Sequence, residues 1–180
     1  KRGFSVTLTE RCEKLGGQVD LAVKPPHKEK LSWCIEDLHT SIKKLGVEIL
    51  LNKNADADFV KELSPYAVIL ATGAKAIKPK SIEGVNRENV YTTTEILDGS
   101  VVLSEKRVAV IGSGMTGLET AELLTVNKNK VYVVEMAEEI AMGVWHQHVN
   151  DIMPRLKNAD TQFFTSKKLV AIKEKEIMEV

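Results

Sequence analysis

The chain has 180 residues, with 25 basic and 25 acidic side chains and a formal net charge of zero. Without a basic excess it offers no electrostatic reason to bind nucleic acid or an anionic membrane surface, so neither is expected as a partner. The hydrophobic fraction of 43% and the charged fraction of 28% are those of a globular protein, and the apolar runs are too short to span a membrane.

The sequence contains two cysteines, Cys12 and Cys34, and neither belongs to a CxxC or CxxxxC motif. This spacing excludes a redox-active dithiol pair close in sequence and argues against a zinc site. We therefore expect free thiols in a reducing compartment, which favours a cytoplasmic location. The first ten residues, KRGFSVTLTE, include neither an initiator Met nor the apolar stretch of a signal peptide. This beginning suggests a piece of a longer polypeptide.

The first half of the sequence predicts a nucleotide-binding unit that starts at its second strand. Phe4, Val6 and Leu8 alternate with polar residues, which is typical of a strand, and Glu10 ends it. Further along we expect a helix at 31–45, where apolar residues recur at helical spacing, a strand at 47–51, a helical turn at 59–63, and a strand buried on both faces at 66–74, YAVILATGA.

The second half of the sequence predicts a connector and then a β-α-β unit. Residues 75–104 are punctuated by polar residues and are expected to join two units. The predicted elements that follow are a strand at 107–112, a helix at 116–126, a strand at 130–135, a helix at 149–157 interrupted by Pro154, and short strands at 161–165, 169–174 and 176–180. Alternating strands and helices predict an α/β fold with two Rossmann-like three-layer dinucleotide-binding units, both incomplete.

The strongest motif is VAVIGSGMTGLETAELL, where Gly112, Gly114 and Gly117 form G-x-G-x-x-G between a strand and a helix. Gly112 permits the tight turn, Gly114 lets the backbone approach a pyrophosphate, and Gly117 lets the helix pack on the strand. The helix N-terminus offers unpaired N–H groups to the phosphates. The predicted NAD-binding residues of this motif and of the next strand end are Gly112, Ser113, Gly114, Met115, Thr116, Gly117 and Glu135.

Glu135 also bears on which nicotinamide nucleotide binds. Its carboxylate can accept hydrogen bonds from the ribose hydroxyls, and it would repel the 2′-phosphate of NADPH. No Lys or Arg occurs between Glu135 and Arg155, although a site for NADPH usually places an Arg there. The sequence therefore favours NADH over NADPH.

Taken together, the strand-end Glu10 followed by LGGQ, then ATGA, a connector and G-x-G-x-x-G-x-E-x-A resemble the flavoproteins with two dinucleotide-binding domains. The segment TERCEKLGGQVDLAVKPPHKEKL is most similar to the C-terminal region of the Old Yellow Enzyme-like NADH:flavin oxidoreductases. That group includes 2,4-dienoyl-CoA reductase, 2-enoate reductase and trimethylamine dehydrogenase. The resemblance implies the FAD/NAD(P)-binding fold and an NAD(P)H-dependent flavin oxidoreductase.

The resemblance also implies an order of domains. Residues 1–104 would be an FAD-binding domain lacking its first glycine loop, and residues 105–180 an inserted NAD(H)-binding domain lacking its last strand or strands. An N-terminal TIM barrel of the same polypeptide, lying before Lys1, would carry FMN, a 4Fe–4S cluster and the substrate site. Hydride would pass from NADH to FAD, and electrons would continue to the barrel, which reduces an activated C=C bond. Without the barrel the fragment is expected to be inactive alone, and a homo-oligomer stays among the options.

Residue by residue, the resemblance assigns Glu10 to the FAD adenosine ribose and Arg11 to the adenine. Glu119 would reach towards the nicotinamide, with a solvated helix residue as the alternative. The remaining positions that the resemblance assigns to FAD, at the Gly-Gly turn and at the ATG turn, are Gly16, Gly17, Gln18, Thr72 and Gly73. A plain turn and a strand end are the alternatives for these two segments.

Two other functions stay open. One is a structural module with ADP or nothing in the first nucleotide site. The other is an FAD-dependent disulfide reductase, although no cysteine pair follows Gly16 and Gly17. No catalytic residue can be named, and no metal site is expected, since His146 and His148 are two residues apart and would point to different sides of a helix.

Overall fold

The computed structural model describes residues 2–174 and 177–179 of the chain, which divide into two compact units. Unit 1 comprises the residues up to Val23 and Lys28–Ala74, and unit 2 comprises Lys24–His27 and the residues from Lys75 onward. The chain therefore passes from unit 1 into unit 2 at Lys24 and back into unit 1 at Lys28. Pro25, in the short segment that belongs to unit 2, is fully buried. The proposed domain boundary between residues 104 and 105 stays a prediction.

Unit 1 is built on two parallel strands. Strand β1 pairs with strand β2 in the register Thr7↔Glu48, Leu8↔Ile49 and Thr9↔Leu50. The elements of this unit, in chain order, are β1 (Thr7–Thr9), α1 (Val19–Ala22), α2 (Leu31–Lys44), β2 (Glu48–Leu50) and α3 (Ala57–Leu63). The structure confirms the predicted strand that Glu10 ends, the strand predicted at 47–51 and the helix predicted at 31–45, although both strands are shorter than expected.

Unit 2 contains a parallel three-stranded sheet in the order β3-β4-β5 and an antiparallel pair, β6 and β7. Its elements are α4 (Thr93–Leu97), β3 (Arg107–Ile111), α5 (Met115–Val126), β4 (Lys130–Val134), α6 (His146–Asn158), β5 (Gln162–Phe164), β6 (Leu169–Ile172) and β7 (Ile177–Glu179). The predicted α/β fold with parallel sheets is confirmed. Of the strand predicted at 176–180, residues 176 and 180 lie outside the described residues.

The hydrophobic core lies in unit 2, between the parallel sheet and helices α5 and α6. Leu118 and Leu124 of α5, Val131 and Val133 of β4 and Leu156 of α6 are almost completely buried. Each such side chain contributes about 1.5–3 kcal/mol through apolar burial. Among residues 2–23 and 28–74 of unit 1, by contrast, no side chain is buried. The core thus supports the β-α-β unit that carries the glycine motif.

The strand predicted at 66–74 is wrong. This segment has no regular secondary structure, and Tyr66, Ile69 and Leu70 are 97%, 91% and 84% exposed. Continuous apolar composition predicts burial on both faces only where neighbouring strands and helices cover the segment. In the part of the chain that the structure describes, no strand pairs with it.

Two further differences concern helices. Helix α4 lies in the predicted connector and begins with a capping box, in which Thr92 Oγ1 accepts from Glu95 N and Thr92 N donates to Glu95 Oε2. The T-x-x-E spacing is the signal that could have found it. Helix α6 continues through Pro154 without a break. The proline removes one helix hydrogen bond, but Ile152 and Leu156 on either side are buried in the core and hold the helix in place.

A partly buried ion pair joins the two helices that cover the sheet. The Glu122 carboxylate of α5, whose side chain is 6% exposed, pairs with the Arg155 guanidinium of α6, which is 31% exposed. Arg155 Nη2 also donates to Asp151 Oδ2 at 2.9 Å, at the surface. First Asp151 and then Glu122 raise the pKa of the Arg155 guanidinium above its ordinary value.

We predict that Arg155→Met lowers the free energy of unfolding by about 3 kcal/mol, because it leaves the buried Glu122 carboxylate without a counter-charge. Asp151→Asn removes only the exposed half of the network and is expected to cost less than about 1 kcal/mol. Urea unfolding at neutral pH, followed by circular dichroism, measures both. Equal losses for the two variants would contradict a stabilising role of the buried pair.

Candidate nucleotide-binding site

The glycine motif forms a tight turn between strand β3 and helix α5. Gly112 adopts a positive φ of 96°, which favours glycine, and its N–H donates to Val134 O at 2.8 Å. Gly117, on the first turn of α5, lies so close to Gly112 that a Cβ atom there would come within 2.2 Å of the Gly112 carbonyl oxygen. This close approach sets the helix directly on the strand.

Gly114 is the N-cap residue of α5 and leaves the helix N-terminus open. It has no side chain that could cap the helix, and a Cβ atom added to it would meet nothing within 4 Å. The first-turn N–H groups of a helix have no partner within the helix and carry a partial positive charge. This open N-terminus fits a pyrophosphate, which a side chain at position 114 would obstruct.

The Glu135 carboxylate lies beside the glycine turn, at the end of β4. Its Oε2 atom accepts from Ser113 N at 2.7 Å and from Ser113 Oγ at 2.8 Å, and its Oε1 atom accepts from Ala137 N at 2.9 Å. The hydrogen bonds from the N–H groups of Ala137 and Ser113 hold the pKa of the Glu135 carboxyl below its ordinary value. The carboxylate is therefore ionised at neutral pH.

The other residues predicted for NAD lie on the same helix. Met115 and Thr116 form the first turn of α5, where Met115 is half-buried and Thr116 is exposed. Glu119 lies one turn further along and is half-buried. The structure thus brings Ser113 and Glu135 into direct contact, and Gly112 bonds to Val134, the residue before Glu135.

The backbone around Glu135 forms a pattern of three hydrogen bonds between β4 and the end of β5, which we call the strand-end clasp. Glu135 N donates to Phe164 O at 2.8 Å, Ser166 N donates to Ala137 O at 2.8 Å, and Lys167 N donates to Glu135 O at 2.9 Å. Ser166 has a positive φ of 54°. The clasp holds the chain after β5 against the ribose-binding carboxylate expected at Glu135.

Unit 1 repeats the same clasp around Glu10. Glu10 N donates to Leu50 O at 2.9 Å, Asn52 N donates to Cys12 O at 3.0 Å, and Lys53 N donates to Glu10 O at 2.9 Å. Glu10 Oε1 accepts from Cys12 N at 2.9 Å, as Glu135 Oε1 accepts from Ala137 N. Asn52 has a positive φ of 54°, the value found at Ser166. Each unit therefore presents a glutamate in the same backbone setting.

Sequence reasoning missed the residues that complete the two clasps. In both units a short polar residue and a lysine follow the strand, as LNK in unit 1 and TSK in unit 2. This similarity is the signal that could have found them. Asn and Ser tolerate positive φ better than branched residues do, so the pattern has a physical cause.

The remaining residues predicted for FAD lie in unit 1. Gly16 and Gly17 form a turn with positive φ angles of 134° and 51°, and Gln18 Nε2 donates to Ala74 O at 2.8 Å. This bond ties the Gly-Gly turn to the segment containing Thr72 and Gly73, both exposed. Arg11 is exposed as well. The structure thus joins Gln18 to the ATG segment.

Cys12 and Cys34 are exposed free thiols. His146 and His148 are exposed in the first turn of α6. Within residues 2–174 and 177–179 no group of three His, Cys, Asp or Glu side chains is arranged to hold a metal ion, and no helix has the length and apolar character needed to cross a membrane.

Comparison with known proteins gives a family match over most of the chain. Residues 21–180 match the family model described as pyridine nucleotide-disulphide oxidoreductase. An NADH oxidase of Thermoanaerobacter brockii is 39% identical over 147 residues, which are 80% of this chain and 22% of that protein. A cinnamate reductase of Clostridium sporogenes is 35% identical over 139 residues, which are 77% of this chain and 20% of that protein.

A solved structure of a 2-naphthoyl-CoA reductase matches 99% of this chain and 27% of its own, with a TM-score of 0.90 and 30% sequence identity. The chain therefore spans about a fifth of the length of the curated relatives it matches. These matches confirm the resemblance to the Old Yellow Enzyme-like oxidoreductases that the motifs indicate.

The two glycines of the motif are expected to respond differently to the same substitution. Gly117→Ala should destabilise unit 2 by more than 1 kcal/mol and weaken NAD⁺ binding, because its Cβ would clash with the Gly112 carbonyl oxygen. Gly114→Ala has room and an ordinary φ of −62°, so its stability should stay within about 0.5 kcal/mol of the parent.

Gly114→Ala should nevertheless lose at least about tenfold in NAD⁺ affinity, since the methyl group occupies the place expected for the pyrophosphate. Thermal unfolding and calorimetric titration with NAD⁺ separate the two effects. Unchanged NAD⁺ affinity in Gly114→Ala would show that the pyrophosphate does not approach this turn.

Proposed function

Because the chain belongs to the pyridine nucleotide-disulphide oxidoreductase family, we propose that it is the FAD- and NAD(H)-binding part of an NADH:flavin oxidoreductase. The observation that carries this proposal is the strand-end clasp, repeated around Glu10 in unit 1 and around Glu135 in unit 2. Two clasps with the same glutamate setting are expected in a protein that binds two dinucleotides.

Of the two proposed sites, the NAD(H) site is the one whose glycine loop is present in this chain. The open N-terminus of α5 would take the pyrophosphate, with Gly112, Gly114 and Gly117 allowing the backbone to approach it. Glu135 would accept a hydrogen bond from the adenosine ribose. Because its carboxylate is ionised and lies at the turn, it would repel a 2′-phosphate, so NADH is preferred to NADPH.

The remaining assignments of this site are Met115 and Thr116 near the phosphates, through their first-turn N–H groups, and Glu119 towards the nicotinamide. In unit 1 the proposal assigns Glu10 to the FAD ribose and Arg11 to the adenine. The Gly-Gly turn and the ATG segment would line the rest of the flavin nucleotide, through Gly16, Gly17, Gln18, Thr72 and Gly73. The hydrogen bond from Gln18 to Ala74 supports a common role for these two segments.

When bound, FAD would supply the hydride acceptor for NADH and pass electrons on to a barrel with FMN and a 4Fe–4S cluster, which reduces an activated C=C bond. The share of about a fifth that this chain covers in its relatives supports a longer polypeptide with a further catalytic domain. This chain's own residues would bind and orient the two nucleotides, and the proposal includes a cytoplasmic location.

A second function follows from the chemistry of unit 1. The Glu10 clasp would bind an adenosine ribose, which FAD and ADP share. A structural module with ADP in this site would use the same residues. The third alternative, a disulfide reductase, has less support, since Cys12 and Cys34 belong to no paired motif.

We predict that the full-length protein contains both FAD and FMN, and that anaerobic addition of NADH bleaches the flavin absorbance. Acid extraction and chromatography of the released nucleotides measure the content. FMN with ADP and no FAD would support the structural module, whereas FAD as the sole flavin would contradict the proposed barrel.

We also predict that Glu135→Arg weakens NAD⁺ binding about tenfold or more and relaxes the preference over NADP⁺. The reason is that a charged hydrogen bond contributes about 1.5–3 kcal/mol and the guanidinium attracts the 2′-phosphate. Calorimetric titration of the full chain with the oxidised nucleotides, which avoids turnover, gives the two dissociation constants.

The matched control is Glu139→Arg, which makes the same charge change at an exposed position four residues along the chain. It should leave the ratio of the two dissociation constants within about twofold of the parent. If Glu135→Arg leaves that ratio unchanged, or if the control alters it equally, Glu135 does not bind the ribose.

A further inference from the structure

Ser113, the residue between the first two glycines of the motif, is 1% exposed, although its neighbours Gly112 and Gly114 are more open. Its backbone N–H and its hydroxyl both donate to Glu135 Oε2, at 2.7 Å and 2.8 Å. Its Oγ atom also accepts from Ala141 N at 2.9 Å. A side chain placed so deeply, with a donor and an acceptor both used, has a defined orientation.

The Ala141 N–H determines which way the Ser113 hydroxyl points. A serine hydroxyl has one hydrogen, and here its acceptor side faces Ala141, so the hydrogen is directed to Glu135. Ala141 itself is buried and has a positive φ of 63°. The segment after β4 therefore bends back on the glycine turn and fixes the hydroxyl without competition from water.

This arrangement limits how Glu135 can receive a ribose. A carboxylate has about four acceptor positions, and Glu135 uses two on Oε2 for Ser113 and one on Oε1 for Ala137. Because Ser113 uses both positions on Oε2, Oε1 is the oxygen left to face a nucleotide. The two bonds from Ser113 therefore hold Oε2 at the glycine turn and limit rotation of the carboxylate.

We propose that Ser113 is a positioning residue for nicotinamide nucleotide specificity, acting through Glu135. The inference rests on the proposed NAD(H) site and deepens it: the choice between the 2′-hydroxyl and the 2′-phosphate depends on the Ser113 hydroxyl as well as on the Glu135 charge. Without the hydroxyl, Oε2 keeps only the Ser113 N–H, so the carboxylate is held less firmly and is expected to tolerate NADP⁺.

Ser113→Ala tests this proposal in the full chain, by calorimetric titration with NAD⁺ and NADP⁺. The substitution removes the hydroxyl bond to Glu135 but keeps the backbone N–H bond, so NAD⁺ affinity should fall by only about fivefold to tenfold. NADP⁺ affinity should change less than about twofold or increase. Thr120→Ala is the matched control, because the Thr120 hydroxyl is also buried but donates to Thr116 O and not to Glu135. The control should keep the NAD⁺ to NADP⁺ ratio of the parent.

A double-mutant cycle shows whether Ser113 acts through Glu135. In a Glu135→Ala background, adding Ser113→Ala should change the NAD⁺ to NADP⁺ ratio by less than about twofold, because the group it positions is absent. Ser113→Cys keeps a weak donor of similar shape and should give an intermediate ratio. It carries the test if circular dichroism shows that Ser113→Ala does not fold.

The outcomes distinguish the positioning role of Ser113 from the NAD(H) site itself. An unchanged ratio in Ser113→Ala and Ser113→Cys, an equal loss for both nucleotides, or the same shift in the Glu135→Ala background would overturn the positioning role. The NAD(H) site itself would still stand if the parent bound NAD⁺. Failure of the parent to bind either nucleotide would instead overturn the proposed function.

Discussion

The contact on which the nucleotide-binding unit depends is the approach of Gly117 to the Gly112 carbonyl oxygen. A distance of 2.2 Å from that oxygen to a hypothetical Cβ leaves no room for a side chain, so helix α5 packs directly on strand β3. That packing directs the N-terminus of α5 to the carboxyl end of the sheet, beside Glu135 on the neighbouring strand. Ligands of open parallel sheets bind at this edge.

The strand-end clasp explains how a carboxylate is held at such an edge. The N–H groups of Glu10 and Glu135 bond to the end of the neighbouring parallel strand, and their C=O groups accept from a lysine shortly after that strand. The backbone is thereby fixed, and the next turn supplies an N–H to the carboxylate from Cys12 or Ala137. These backbone groups are common to both glutamates, so the same setting arises in two units that differ in sequence, and in unit 2 the Ser113 hydroxyl adds a side-chain hydrogen bond.

Local spacing was sufficient to predict the β-α-β unit, because glycines, apolar periodicity and a strand-end acid each have a local cause. The hydrogen bonds between Ser113 and Glu135 are not predicted, because the motif spacing indicates that the two residues are near each other but does not indicate which atoms bond. The strand predicted at 66–74 is wrong for a different reason, which concerns burial. Apolar composition indicates that Ile69 and Leu70 can be buried, but burial depends on partners that a local pattern does not contain.

The two units also differ in how their proposed nucleotide sites are supported. In unit 2 the clasp stands on a core of buried leucines and valines, so the site is held by packing before any ligand binds. In unit 1 the same clasp stands on residues of which none is buried among 2–23 and 28–74. A ligand that binds only the folded state adds its binding free energy to stability. The NAD(H) proposed for unit 2 would add its binding free energy to that of a core which this chain already supplies.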